Sequence, residues 1–338
     1  MTALPERPSL LTRLFLHSLR RAEKRVQKGR SPHEIPLPLP GHAPAPHPRT
    51  LARLRKIAGR PSFPTILSSL QIRTWRPILV PGGEGRRPAR LYRPRGTVHG
   101  AILFLHGGGF VHCDLVSHHG ICCRLARQSG AMVLSLDYRL APEHKFPAAV
   151  DDAWAALQWL AQQMEGRGPV AVAGDSAGGN LAAVIALKAR DAGGPKIAAQ
   201  LLIYPVICGA DAPDTRTRYA RGYFLTESGI AWYGAQYLSH EAELRDPRFA
   251  PVLASSFAGL PPAAIITGGF DPLRGDGERY RDLLQAAGVP VFYRCYGRMI
   301  HGFLNFYALL ADGRSAIRVG AHFLRRHLRA PITSSESS

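Results

Sequence analysis

Ser176 stands in the run Gly174-Asp175-Ser176-Ala177-Gly178, after an apolar stretch at residues 170–173 and before a helix-forming segment of small residues. A strand that ends in Gly-x-Ser-x-Gly and turns at once into a helix holds its serine on a sharp elbow with the hydroxyl exposed. The flanking glycines remove the Cβ atoms that would clash there. The N–H of Ala177 then falls in the first helical turn, where donors are unpaired and the helix dipole favours negative charge. This is chemistry suited to a serine that attacks a carbonyl. Such a serine needs a base, a carboxylate that orients the base, and further donors for the oxyanion. Asp271 follows the apolar run 263–267 and Gly268-Gly269, which reads as a turn, and His301 follows the run 291–296. Both lie beyond the carboxyl ends of expected strands, the edge at which the elbow also sits. The string His106-Gly107-Gly108-Gly109-Phe110 directly follows a strand at 101–105, and consecutive glycines let backbone N–H groups approach a ligand closely. The expected set is Ser176 as nucleophile, His301 as base and Asp271 as its orienter, with the N–H groups of Gly108, Gly109 and Ala177 around the oxyanion.

Other residues of the right types fit less well. His106 lies upstream on the oxyanion strand and reads as a buttress for the glycine loop. Asp175 adjoins the serine but should project away from it and fix the elbow, while Asp276 is a fallback for the triad carboxylate. His112, His118 and His119 with Cys113 and Asp114 match no tight metal-ligand spacing. No cofactor is called for. The chain order Ser176, Asp271, His301 is that of α/β-hydrolases.

To position these groups the chain must supply parallel strands. From Gly100 onward, apolar strands at 101–105, 132–137, 170–173, 200–204, 263–267 and 291–296 alternate with helical segments at 117–128, 148–164, 178–192, 277–287 and 303–326. That alternation predicts an α/β fold, a mostly parallel central sheet covered by helices on both faces. Two earlier strands, 71–79 and 90–93, flank the turn Pro81-Gly82-Gly83. Ahead of them come an amphipathic helix at 10–27, a proline-rich connector at 31–48 and a short helix at 50–59. Residues 205–251 interrupt the alternation with Tyr219, Tyr223, Phe224, Trp232, Tyr233 and Tyr237, and Thr226-Glu227-Ser228 opens a helix there. This is the place for a helical cap, with most of the aromatics filling the insertion's own small core. The expected organisation is a basic cap and connector at 1–70, a catalytic core at 71–206 and 251–330, a cap insertion at 207–250 and a disordered tail at 331–338.

The 338 residues carry a formal charge of +19, distributed unevenly. Residues 1–100 hold 20 Lys plus Arg against 4 Glu, a net +16, which leaves +3 for the remainder. Arginine outnumbers lysine 37 to 6, so much of this reads as compositional bias, and nothing resembling a nucleic-acid motif accompanies it. The partners the sequence admits are a small-molecule ester with water, an anionic membrane touched weakly through the basic N-terminus, and a second copy of the chain. Arg13, His17 and Arg20 interrupt the leucines of residues 10–19, so no secretory signal is read and a cytoplasmic setting is expected. Five scattered cysteines read as reduced thiols, most of them buried.

The strings HGGGF (106–110), DYRLAPEHKFPAA (137–149), GDSAGG (174–179), DPLR (271–274) and HGF (301–303) closely resemble the hormone-sensitive-lipase-like carboxylesterases, a bacterial group of α/β-hydrolases. The resemblance runs from about residue 92 to 323. It implies the same roles for Ser176, His301, Asp271, Gly108, Gly109 and Ala177, and hydrolysis of short to medium acyl esters through an acyl-enzyme. Relatives in the group include amidases and deacetylases, so an amide or formamide hydrolase is the alternative, and a non-catalytic binding module a minor one. The group carries an acidic residue after Asp-Pro-Leu-Arg, whereas this chain has Gly275 followed by Asp276. This departure reads as altered loop support.

Overall fold

A computed structural model describes residues 7–26, 39–40, 46–60 and 63–329. Most of the proline-rich connector and all of the expected tail lie outside the described residues. The strands are β1 (Thr74–Pro81), β2 (Arg86–Arg93), β3 (Ala101–Leu105), β4 (Met132–Leu136), β5 (Val170–Asp175), β6 (Ile197–Ile203), β7 (Ala263–Phe270) and β8 (Val291–Ile300). They form one sheet in the order β1-β2-β4-β3-β5-β6-β7-β8, antiparallel from β1 to β4 and parallel from β4 to β8. The helices are α1 (Leu10–Val26), α2 (Pro48–Ala58), α3 (Phe63–Leu67), α4 (His119–Ser129), α5 (Ala148–Met164), α6 (Ala177–Asp191), α7 (Thr215–Arg218), α8 (Glu227–Tyr237), α9 (Arg274–Ala286) and α10 (Ala311–Arg329).

Every residue of β3, β5 and β7 is buried, because helices cover both faces of the sheet. Side chains alternate between two cores. Leu103, Leu105, Leu134, Val172 and Ile265 meet Leu157 of α5, Leu181 of α6 and Leu284 of α9 on one face. Ile102, Phe104, Val133, Leu201 and Ile266 meet Ile121 of α4 and Ile317 and Leu324 of α10 on the other. Each such leucine or isoleucine contributes about 1.5–3 kcal/mol through burial. The result is a rigid platform that delivers the ends of β3, β5, β7 and β8 to one edge.

Three expectations change in detail. Gly268 and Gly269 do not make a turn; both continue β7, where backbone atoms of Gly297, Met299 and Ile300 come so close that a Cβ would collide. The segment expected as one helix at 303–326 divides into a 3-10 turn, Phe303–Phe306, and α10, with the Arg314 guanidinium donating to the carbonyls of Tyr307 and Ala308 between them. The aromatics of the insertion do not build a core of their own. Tyr237 stacks on Phe110 at 3.9 Å, Tyr219 and Tyr223 pack against Phe270, and Phe224 meets Phe15 of α1 and Phe306. α8 itself starts as expected, with the Thr226 hydroxyl accepting from the N–H of Gly229 at 3.0 Å.

The N-terminal helices are seated on the same edge. Leu16 of α1 is buried against Phe270 and Ile300, the last residues of β7 and β8. Arg55 of α2 donates to the carbonyls of Val111 and Ala141 and makes a bidentate pair with Glu143 at 2.8 Å.

Candidate active site

The elbow is built by β5 running into α6. Ser176 holds φ +53 and ψ −119, a conformation that costs a non-glycine residue about 1–3 kcal/mol and persists only where the surroundings enforce it. They do so here by crowding. A Cβ on Gly174 would strike the backbone of Gly178, and one on Gly178 would strike the carbonyls of Leu105 and His106. Only glycine on both sides lets the turn close against β3. The Ser176 N–H is tied to the Ile203 carbonyl at 2.8 Å, and its own carbonyl accepts from Asn180 at 3.0 Å.

The residues singled out from the sequence converge on this serine. His301 Nε2 lies 2.9 Å from Ser176 Oγ, and His301 Nδ1 lies 2.9 Å from Asp271 Oδ2. A carboxylate only accepts, so Nδ1 donates to Asp271 and the neutral ring presents Nε2 as acceptor to the serine hydroxyl. Asp271 is fully buried and its second oxygen accepts from the Leu273 N–H at 2.8 Å, which leaves the carboxylate fixed within its Asp-Pro-Leu-Arg turn. Nearby, the side-chain-free loop bends through Gly108 at φ +113 and Gly109 at φ +61. The N–H groups of Gly108, Gly109 and Ala177 have no hydrogen-bond partner among the described residues. Unpaired donors at a helix N-terminus and a glycine loop can receive a developing negative charge.

Asp175 joins the two halves of the site. Its Oδ1 accepts from the Gly107 N–H at 2.9 Å, so the residue before the serine holds the glycine loop. His118 Nε2 lies 3.1 Å from the same oxygen, at an angle short of a well-aligned hydrogen bond, and both side chains are buried. Burial pushes the Asp175 carboxyl up, but His118 and the Gly107 N–H outweigh it and hold the group below its ordinary value. His106 is a buttress, as expected: it stacks on Tyr138 at 4.4 Å and its Nδ1 donates to the Gly107 carbonyl at 2.7 Å. Burial, reinforced by His118, lowers its pKa to about 4, so it is neutral at pH 7.

Asp276 does not approach His301's ring; its Oδ2 accepts from the N–H groups of Ile207 and Cys208 and from Arg216 at 2.8 Å, anchoring the start of the insertion. Gly275, where an acidic residue was expected by resemblance, donates its N–H to Thr215 Oγ1 at 3.0 Å. The histidines and acids weighed as metal ligands go separate ways. His118 faces Asp175, His119 contacts Tyr92 and Ser69, and His112 meets Tyr233 at 2.8 Å. Cys113 is a free thiol that burial pushes up to about 12. Three contributors escaped the sequence reading: His118 behind Asp175, Tyr204 at φ +37 packed 4.7 Å from the His301 ring, and the His112–Tyr233 contact between glycine loop and α8. All are long-range pairings with no spacing signal.

A cavity of about 840 Å³ opens over the serine. Its walls come from the glycine loop, His301, α8 and the N-terminal region, and are mainly apolar, with Leu39, Ile57, Phe224, Ile230, Phe249 and Phe306 among them.

A mostly parallel sheet whose central strand ends in a strained serine, within reach of a histidine and a buried carboxylate, is the architecture of an α/β-hydrolase. Comparison with known proteins agrees. A family model described as alpha/beta hydrolase fold matches residues 102–305. The carboxylic ester hydrolase LipN of Mycobacterium tuberculosis is 43% identical over 74% of this chain and 70% of its own length. The ethyl acetate hydrolase of Pseudomonas putida is 34% identical over 80% of this chain and 86% of its own. Among solved structures, a Pyrobaculum calidifontis esterase superposes with a TM-score of 0.78 at 41% identity, covering 83% of this chain and 94% of that one. The chain belongs to the alpha/beta hydrolase family, and within it to the hormone-sensitive-lipase-like carboxylesterases that its motifs resemble.

Proposed function

We propose that the chain is a serine carboxylesterase in which Ser176 is the nucleophile, His301 the general base and acid, and Asp271 the orienter of the imidazole. The chain of two 2.9 Å contacts from Ser176 through His301 to Asp271 carries this reading. Ser176 Oγ attacks the ester carbonyl as His301 Nε2 takes its proton, and the N–H groups of Gly108, Gly109 and Ala177 receive the oxyanion. His301 then returns the proton to the leaving alcohol, and a water that it deprotonates releases the acid. Asp271 stabilises the imidazolium that forms in each half and keeps the productive tautomer.

The substrates proposed are esters of short to medium acyl chains. Mainly apolar walls and a volume of about 840 Å³ support that class, as does similarity to a protein named an ethyl acetate hydrolase. Residues 71–206 and 251–330 form the catalytic core in this reading, and residues 1–70 and 207–250 the two parts of a cap. The cap assignment draws support from Ile57, Phe224 and Tyr233, which all line the cavity. Five free thiols among the described residues fit a reducing, cytoplasmic setting. The basic N-terminal region is proposed to touch anionic lipid. No described helix is long and apolar enough to cross a membrane.

The test is a series of p-nitrophenyl esters of increasing acyl length, run beside the matching p-nitroanilides. The reading expects kcat/KM to peak at short to medium acyl groups and esters to outpace anilides. Faster turnover of the anilides would assign the site to amide hydrolysis instead.

A further inference from the structure

The outer face of α1 sets exposed leucines beside basic side chains. One turn of this helix sends Thr12 and Leu16 into the protein, 1% and 4% exposed, and Phe15 against Phe306 at 4.6 Å. Its inner face is therefore occupied. Leu10, Leu11 and Leu14 nevertheless point outward at 64%, 59% and 58% exposure. At 100° per residue these three share one flank, and Arg13 and His17, one turn apart, lie beside them. A helix that needed only to pack on this protein would carry polar groups there.

The basic side chains continue the pattern. Arg7, Arg13 and His17 line a cavity of about 290 Å³ with Pro8, Leu16 and Tyr223, and no acidic residue among the described residues contributes to its wall. None of these three basic side chains has a hydrogen-bond or ion-pair partner among the described residues. Some surface arginines elsewhere are paired, as Arg55 is with Glu143 and Arg248 with Asp246, whereas others such as Arg53 and Arg76 are not, among the described residues. Unpaired basic side chains around a recess, beside leucines that no described residue covers, match a surface that offers phosphate groups above hydrocarbon.

We infer that the outer face of α1 docks on an anionic phospholipid bilayer, with Leu10, Leu11 and Leu14 in the headgroup boundary and Arg7, Arg13 and His17 on lipid phosphates. This deepens the lipid contact proposed above by naming its surface, and it stands apart from the triad. Charge complementarity selects the bilayer over a second copy of the chain: two copies meeting through α1 would bring the same cations together around a shared axis. Docking also places lipid beside the cavity. Phe15, on the inner face of α1, touches Phe224 and Phe306, and both of those line the space over Ser176.

The experiment is co-sedimentation of the full chain with phosphatidylglycerol-containing vesicles, with pure phosphatidylcholine vesicles in parallel. Binding to the anionic vesicles, weakened by added salt and absent on phosphatidylcholine, is expected. Joint substitution of Leu10→Ser, Leu11→Ser and Leu14→Ser should weaken partitioning at least about tenfold. Arg13→Gln should weaken it about fivefold, as expected for one basic residue at an anionic surface. All these side chains are exposed and outside the active-site cavity, so both variants should hydrolyse a soluble p-nitrophenyl ester at the wild-type rate. Absence of wild-type binding, equal binding to both vesicles, or undiminished binding by the leucine variant would each overturn the inference. So would concentration-dependent self-association that the leucine variant abolishes, which would give the face to a second copy. Thermal stabilisation by inorganic phosphate without vesicle binding would overturn it too, leaving the recess to a free anion. A wild-type chain that binds vesicles but hydrolyses no ester would refute the esterase reading alone.

Discussion

Replacing Asp175 with asparagine tests whether the residue beside the serine also holds the oxyanion loop. Asp175 is buried, accepts from the Gly107 N–H at 2.9 Å and lies 3.1 Å from His118 Nε2. An amide of the same shape can still offer one oxygen to Gly107, so the cost is the charge rather than the contact. A hydrogen bond to a charged group contributes about 1.5–3 kcal/mol and a neutral one about 0.5–1.5, a difference near 1 kcal/mol. Losing the attraction to His118 adds a similar amount, so Asp175→Asn should destabilise the fold by roughly 2–3 kcal/mol. For 338 residues the unfolding entropy is about 0.7 kcal/mol/K, so Tm should fall by roughly 3–4 °C. Gly107 precedes the proposed donor Gly108, and complete loss of one oxyanion donor costs about 10²–10³ in rate. With the loop loosened but retained, kcat and kcat/KM should fall together by roughly tenfold, because the oxyanion exists only beyond the ground state. Calorimetry and steady-state hydrolysis of a p-nitrophenyl ester measure both quantities. An unchanged kcat with a lowered Tm would reduce Asp175 to a structural role, and an unchanged Tm would refute the electrostatic reasoning itself.

Three other outcomes follow from the geometry. Asp271→Asn should lower kcat by about 10⁴ if the carboxylate sets the His301 tautomer, and a loss below tenfold in ester hydrolysis would contradict that role. Gly109→Ala should be costly twice over, since residue 109 sits at φ +61 and a Cβ there would meet the Tyr233 ring; a stability loss of at least about 1 kcal/mol is expected, and a denaturant midpoint equal to wild type would contradict it. Stability should also drop in mild acid. Burial lowers the pKa of both His106 and His112 from 6.5 to about 4, with His118 adding to each and Arg55 to His112. Between those values the unfolded chain binds protons that the folded chain does not, so each histidine removes about 1.4 kcal/mol per pH unit as pH falls from 6.5 toward 4. Asp175, with its folded pKa depressed, stabilises fully above about 4 and begins to withdraw that contribution only below it. Thermal unfolding measured at about pH 7.5, 6 and 5 checks this, and a flat Tm across that span would count against it.

The groups proposed for catalysis were legible because each sits at a strand end marked by glycine or by a sharp change of hydropathy. The strand β3 and the helix α5 fall where the sequence places them, since their apolar patterns have clean boundaries. Gly268 and Gly269 depart from the expected turn for a physical reason: a glycine pair signals a turn locally, but here it serves the close approach of β8, which no neighbouring residue reveals. The aromatics of 205–251 pack outside the insertion on Phe110, Phe270 and Phe15, partners that are distant in sequence and invisible to local pattern. The same blindness hid His118, Tyr204 and Tyr233. Residue type and local spacing disclose the groups proposed to react, whereas the network that holds them is made of pairings only the folded chain brings together.

The central claim is that Ser176, activated by His301 and Asp271, makes an ester-cleaving nucleophile. The most direct measurement compares hydrolysis of a short p-nitrophenyl ester by wild type and Ser176→Ala, each shown to be folded. Removal of the nucleophile should lower kcat by at least about 10³, leaving only what the oxyanion donors and binding contribute. Equal rates from the two proteins would contradict the account.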